Sequence, residues 1–129
     1  MQNIAMAVVV RDGKVLVQKR FRYRQGMVFE FPGGLVDPGE SGSQAAIREL
    51  WEETGLKDLL LLGTHQALNN FAGEIHYVVL RADQNDEPKM VDAERQQTFY
   101  WLEPSAIPLD DFYRADIEFI ENHLSRYTC

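Results

Sequence analysis

The chain has 129 residues, of which 45% are hydrophobic and 26% charged, values typical of one globular domain rather than of a disordered segment. Its formal net charge of −7 argues against a general binder of long nucleic acids or of anionic membranes. Residues 1–24 nevertheless hold six basic side chains and one acidic side chain, so the other 105 residues carry a net charge of −12. We predict a single domain over residues 1–129 that has a basic N-terminal segment and an acidic remainder.

A β-hairpin is the first predicted element. Two apolar runs, residues 5–10 and 15–19, flank a turn at 11–14, where Asp-Gly tolerates the positive φ angles of a tight hairpin. The tripeptides at 32–34 and 37–39 contain proline and glycine, and each predicts a break in regular structure.

A helix is predicted next. Ser41 stands three residues before Gln44, the spacing of a capping box, and the helix runs through Leu50 and Trp51. Gly55 suits the left-handed position that ends a helix.

The remaining elements predict a mixed α/β protein. Residues 59–68 and 75–81 are typical of strands joined by a turn around Ala72-Gly73, and an acidic loop at 83–94 precedes a strand at 98–102. The tail predicts an amphipathic C-terminal helix, because apolar residues recur at Tyr113, Ile117, Ile120 and Leu124. We expect a mixed sheet sandwiched between helices.

Neither a membrane span nor a disulfide framework is predicted. The apolar run at 4–10 is too short to cross a bilayer and lacks the features of a secretory signal. Cys129 is the only cysteine, so no internal disulfide can form. We therefore expect a cytoplasmic location and no membrane partner.

Three carboxylates occupy the predicted helix near its C-terminal end. Glu49, Glu52 and Glu53 lie near one face, where both mutual repulsion and the helix dipole disfavour negative charge. A divalent cation would relieve this repulsion, and Mg²⁺ prefers carboxylate oxygens. A solvated acidic face, with Arg48 paired to Glu52, is the alternative reading.

Residues 34–56 resemble the Nudix box. They read GLVDPGESGSQAAIRELWEETGL, and every fixed position of the pattern is filled without an insertion: Gly34, Glu40, Arg48, Glu49, Leu50, Glu52, Glu53, Gly55 and Leu56. The resemblance implies the Nudix α/β fold. It also implies a pyrophosphohydrolase that cleaves a diphosphate linkage with water activated by Mg²⁺, or by Mn²⁺.

The resemblance also implies roles for individual residues. Glu49 and Glu53 are the expected metal ligands, and Glu52 is a further ligand. The base is expected to be Glu52, Glu53 or an acid of a late loop. Arg48 is expected to orient the glutamates. Gly34 supplies a turn and nearby backbone carbonyl ligands, while Glu40 supports the site.

Two further segments are candidates for contact with substrate. Arg20, Arg22 and Arg24 could bind phosphates, and Phe21 or Tyr23 could stack on a base. A solvated loop with one aromatic side chain packed inward is an equal alternative. In several Nudix subgroups a late-loop carboxylate completes the metal site or acts as the base. Glu94 is the first candidate for this role here, with Asp92 and Glu87 as others. The three histidines, His65, His76 and His123, lack metal-ligand spacing and are expected to be structural or surface residues.

The expected substrate is a nucleoside diphosphate derivative, either of the nucleotide-sugar or ADP-ribose type or a nucleoside triphosphate. An RNA 5′-end pyrophosphohydrolase and a non-catalytic Nudix-fold sensor are the alternatives. The sequence does not define the oligomeric state, although the apolar first strand and the C-terminal helix could serve a homodimer.

Overall fold

The computed structural model describes residues 2–68 and 73–128. Seven strands of this part form one mixed sheet: β1 Ile4–Arg11, β2 Lys14–Arg22, β3 Gly26–Glu30, β4 Gly33–Leu35, β5 Leu60–Leu68, β6 Glu74–Arg81 and β7 Thr98–Leu102. The helices are α1 Gly42–Thr54, α2 Arg114–Asn122 and α3 Ser125–Thr128, and short 3₁₀ turns cover Ala93–Arg95, Pro104–Ala106 and Leu109–Asp111. The predicted turn at Ala72 and the terminal Cys129 lie outside the described residues.

The sheet is built around a parallel pair of strands. Its order is β3-β2-β1-β6-β5, and β4 pairs with β1 while β7 pairs with β2. Strands β1 and β6 run parallel, whereas the other pairs are antiparallel. The predicted mixed α/β architecture is confirmed.

Both faces of the sheet are covered, as β1 illustrates. Ala7 and Val9 point towards the core shared with α1, and Val8 and Val10 point towards the core shared with α2. Because successive side chains of a strand alternate between faces, one apolar run supplies both cores. The sheet therefore lies between helices, as the sequence predicts.

The local signals at the hairpin and at α1 are confirmed. Asp12 and Gly13 have φ angles of 52° and 78°, the left-handed pair that a tight hairpin turn needs. Ser41 and Gln44 exchange side-chain to backbone hydrogen bonds at the start of α1. Gly55 ends the helix at φ 77°.

Two predictions about local structure were wrong. The expected break at 32–34 is in part the short strand β4, where Gly33 pairs with Met6 and Gly34 with Ala5. A Cβ at Gly33 would lie 2.3 Å from the carbonyl oxygen of Ala5, so the missing side chain permits the pairing.

The second error concerns the start of the C-terminal helix. Tyr113 directly precedes α2 and is 63% exposed, although the sequence places it on the buried side. Ile120 and Leu124 are buried and Ile117 packs against the same core, as the spacing predicts, and Phe119 adds to this surface. In the described residues, no helix has the length and apolar character needed to cross a membrane.

Candidate active site

Glu53 is a buried carboxylate at the last turn of α1. Its side chain is only 2% exposed and contacts two strands: Gln18 Nε2 donates to Oε1 at 3.0 Å, and the backbone N–H of Gly33 donates to Oε2 at 3.0 Å. Arg95 Nη1 lies 3.5 Å from Oε1. Burial raises the pKa of Glu53 to about 7, and the nearby charge of Glu49 adds to the rise, while Gln18, Arg95 and Gly33 oppose it.

Glu49 lies directly against the glycine backbone of β4. A Cβ built on Gly34 would stand 2.6 Å from Cδ of Glu49 and 2.7 Å from each carboxylate oxygen. Gly33 holds Glu53 and Gly34 faces Glu49, so the two carboxylates meet at one dipeptide. Hard carboxylate oxygens beside an accessible peptide backbone fit a divalent cation such as Mg²⁺.

Arg48 binds the acidic side chains around it. Its guanidinium donates to Glu40 at 2.8 Å and 3.0 Å, to Glu49 at 2.9 Å and to Glu52 at 3.1 Å. It also donates to the carbonyl of Leu35 at 3.0 Å. The hydrogen bonds with Glu40 raise the pKa of Arg48 and lower that of Glu40.

Glu52 is more exposed than Glu53. Its side chain is 46% exposed and contacts Arg48. Among residues 2–68 and 73–128, no three acidic, histidine or cysteine side chains converge as a ready set of metal ligands. The metal site formed by three carboxylates therefore remains a prediction. Two of its expected ligands, Glu49 and Glu53, lie at the same dipeptide, Gly33-Gly34.

A cavity of about 550 Å³ adjoins this region and contains most of the predicted substrate residues. Arg20, Arg22 and Tyr23 line it together with Glu94 and Arg95. We call this space the arginine cavity. Because Arg95 also contacts Glu53, the cavity and the buried carboxylate are neighbours.

The arginines of the cavity already have partners. Arg22 donates to both oxygens of Glu30 at 2.8 Å and 2.9 Å, and Arg20 lies 4.0 Å from the same carboxylate. Tyr23 is 80% exposed, and Arg24, which does not line the cavity, lies over the Tyr23 ring at 5.5 Å. Arg24 therefore lies outside the arginine cavity, and the substrate roles of these residues remain predictions.

The late-loop candidates separate into two groups. Asp92 and Glu94 line the arginine cavity, and Asp92 accepts a hydrogen bond from the backbone N–H of Glu94. Glu87 instead pairs with Arg11 at 2.8 Å. This geometry favours Asp92 and Glu94 over Glu87.

The histidines form other contacts. His65 shares a 2.8 Å hydrogen bond with Tyr127 and stacks on His123, with 4.4 Å between ring centroids. His76 lies 3.3 Å from Glu74. These contacts agree with the structural role that the sequence predicts.

Sequence reasoning missed three side chains near Glu53. Gln18 and Arg95 contact it, and Gln97 donates to Gln18 at 2.9 Å. The signal in the sequence was Gln18 itself, a polar residue directly after the buried run Val15–Val17. Arg95 and Gln97 carry no comparable signal, because their proximity depends on how the loop after β6 folds back.

Comparison of the chain with models of known protein families identifies its family. The NUDIX domain model matches residues 1–123. The chain belongs to the NUDIX family.

Relatives and solved structures agree with this assignment. A CTP pyrophosphohydrolase of Escherichia coli is 32% identical over 94% of this chain and 90% of its own length. A putative 8-oxo-dGTP diphosphatase of Bacillus subtilis is 32% identical over 84% of this chain and 70% of its own. The crystal structure of a MutT NUDIX hydrolase from Burkholderia pseudomallei is 27% identical, has a TM-score of 0.67, and is matched over 93% of this chain and 95% of that one.

Proposed function

We propose that the protein is a divalent-metal-dependent pyrophosphohydrolase of nucleoside triphosphates. One observation carries the proposal: the carboxylates of Glu49 and Glu53 meet at Gly33-Gly34, beside a cavity lined by arginines. The CTP and 8-oxo-dGTP relatives, which align over most of this chain, support a triphosphate over a nucleotide sugar.

Glu49 and Glu53 would hold the cation, with Glu52 and the backbone of Gly34 as further ligands. A cation bound there offsets the negative charge of the phosphates and activates the attacking water. Arg48 keeps Glu49 and Glu52 in place through its hydrogen bonds. Glu52 and Glu94 are the candidates for the base, because both are exposed enough to reach a water molecule.

Arg20 and Arg22 would bind the phosphate chain. Guanidinium groups donate to phosphate oxygens in a forked geometry. The Glu30 contacts occupy Nε and Nη2 of Arg22 and thereby orient its guanidinium. Tyr23, exposed at the cavity, would contact the nucleoside part of the substrate.

A substrate panel tests the proposal. Nucleoside triphosphates, ADP-ribose, nucleotide sugars, dinucleoside polyphosphates and 5′-triphosphate RNA are incubated with Mg²⁺ or Mn²⁺, and the products are identified. We expect a nucleoside monophosphate and pyrophosphate from at least one triphosphate, and no turnover after chelation. A folded protein that turns over none of these compounds would refute the proposal and favour the sensor.

The variant Glu53→Gln tests the proposed role of Glu53 in turnover. We expect turnover to fall at least about 100-fold, because a neutral amide replaces a charged ligand. The matched control is Glu118→Gln, which changes an exposed glutamate paired with Arg114 on α2. Unchanged turnover in Glu53→Gln would show that the metal assignment is wrong.

The RNA arm of the panel has its own motivation. An RNA pyrophosphohydrolase of Aeromonas hydrophila is 42% identical, but the match covers only 48% of this chain and 35% of that protein. The basic N-terminal segment could guide a short 5′ end to the arginine cavity. Faster release of pyrophosphate from 5′-triphosphate RNA than from free triphosphates would favour this second candidate.

A further inference from the structure

Gln18 connects the two acidic centres of the site. It lies on β2 and is fully buried. Its amide nitrogen donates to Glu53 Oε1 at 3.0 Å and to Glu30 Oε1 at 3.2 Å. One side-chain NH₂ group therefore holds the buried carboxylate of α1 and the carboxylate that orients Arg22.

Gln97 supports the orientation of this amide that the two carboxylates require. Its nitrogen donates to Gln18 Oε1 at 2.9 Å, so the nitrogen of Gln18 must face the carboxylates. The opposite orientation of Gln97 would place two amide oxygens against each other. In the observed orientation, Gln97 Oε1 is buried and accepts no hydrogen bond from the described residues. The observed orientation therefore leaves one acceptor unsatisfied.

We propose that Gln18 is a positioning residue that fixes the Glu53 carboxylate for cation binding, and that Gln97 fixes Gln18. The inference rests on the proposed role of Glu53 as a metal ligand. Gly33 holds Oε2 and Gln18 holds Oε1, so the carboxylate is tethered at both oxygens. Groups that orient a metal ligand control its affinity as well as its geometry.

Packing alone does not require an amide at these positions. Methionine has nearly the length and flexibility of glutamine and fills buried space well. Gln18→Met therefore keeps the volume and removes the hydrogen bonds to Glu53 and Glu30. Gln97→Met removes only the group that orients Gln18.

Gln97→Glu is the sharpest variant. A carboxylate at this position cannot donate to Gln18 Oε1, and it competes with Glu53 and Glu30 for the Gln18 nitrogen. We expect this variant to weaken the site as much as Gln18→Met does, and Gln97→Met to have a smaller effect. Urea denaturation of each variant separates this order from one that a loss of stability alone would produce.

Two measurements test the inference. Mn²⁺ binding is followed by electron paramagnetic resonance without substrate, and kcat and KM are measured with the best substrate of the panel. For Gln18→Met and Gln97→Glu we expect Mn²⁺ affinity and kcat to fall about 10- to 100-fold, with KM changed by less than about threefold. Tyr77→Phe, which removes a buried hydrogen bond in the opposite core, controls for loss of stability.

The outcomes distinguish this inference from the proposed function. Wild-type Mn²⁺ affinity and kcat in Gln18→Met would overturn the inference alone, as would an equal loss in Tyr77→Phe. A wild-type protein that neither binds Mn²⁺ nor hydrolyses the panel would overturn the proposed function and this inference with it. If Gln18→Met does not fold, Gln97→Glu decides by the same criteria.

Discussion

Gly34→Ala should reduce catalysis without unfolding the protein. The new Cβ would stand 2.6–2.7 Å from the carboxylate atoms of Glu49, whereas ordinary contacts lie at 3.4–4 Å. The carboxylate must therefore move by about 1 Å, a displacement that can cost about 100-fold in rate. That loss corresponds to about 2.7 kcal/mol of transition-state stabilisation.

The stability of this variant should change little. The contacted atoms are the end of a flexible side chain, and we expect the free energy of unfolding to change by less than about 1 kcal/mol. Gly33→Ala is the contrasting variant, because its Cβ would stand 2.3 Å from a backbone oxygen of Ala5. It should lose about 1–3 kcal/mol of stability through overpacking.

The assay combines steady-state kinetics, Mn²⁺ titration and urea denaturation of both variants. We expect Gly34→Ala to lose activity and keep its stability, and we expect Gly33→Ala to lose stability. Full activity and Mn²⁺ affinity in Gly34→Ala would refute the reasoning, since Glu49 could then move without consequence.

Three further predictions concern stability. Tyr77→Phe should lower the free energy of unfolding by about 1–3 kcal/mol in urea titrations, because the Tyr77 hydroxyl donates at 2.6 Å to buried Asp116; an unchanged midpoint would contradict this. Burial raises the pKa of Asp116 above its ordinary 3.8, so the folded protein retains a proton that the unfolded chain releases. The free energy of unfolding of the protein, relative to that of Asp116→Asn, should therefore fall as the pH rises above about 3.8. A relative stability that rises with pH would contradict the raised pKa of Asp116. Gly13→Ala should cost about 1 kcal/mol in thermal unfolding, because Gly13 has φ 78°, and an unshifted melting temperature would exclude strain at this turn.

The elements that the sequence predicts well are those set by neighbouring residues. The Asp12-Gly13 turn and the Ser41–Gln44 capping box depend on contacts across two or three positions, and both form as expected. The same locality explains why Glu49 and Glu53 lie near each other, since four residues make about one helical turn.

Features that depend on distant contacts were missed. Gly33 and Gly34 break local structure by composition, but pairing with β1 makes them a strand. Gln18 and Gln97 are 79 positions apart and meet only because β7 pairs with β2. Tyr113 was wrongly counted within the helix, because helical spacing predicts a stripe but not where the helix begins.

The Gly33-Gly34 dipeptide has a consequence for how the enzyme would lose activity on heating. The same two residues pair with β1 and contact both carboxylates, so separation of β4 from β1 would also disturb the site. Amide hydrogen exchange at Gly33, whose N–H donates to Glu53, should therefore be as slow as exchange in the central strands. Thermal inactivation and global unfolding would then follow a single curve, with no partly folded state that retains the sheet and has lost the site.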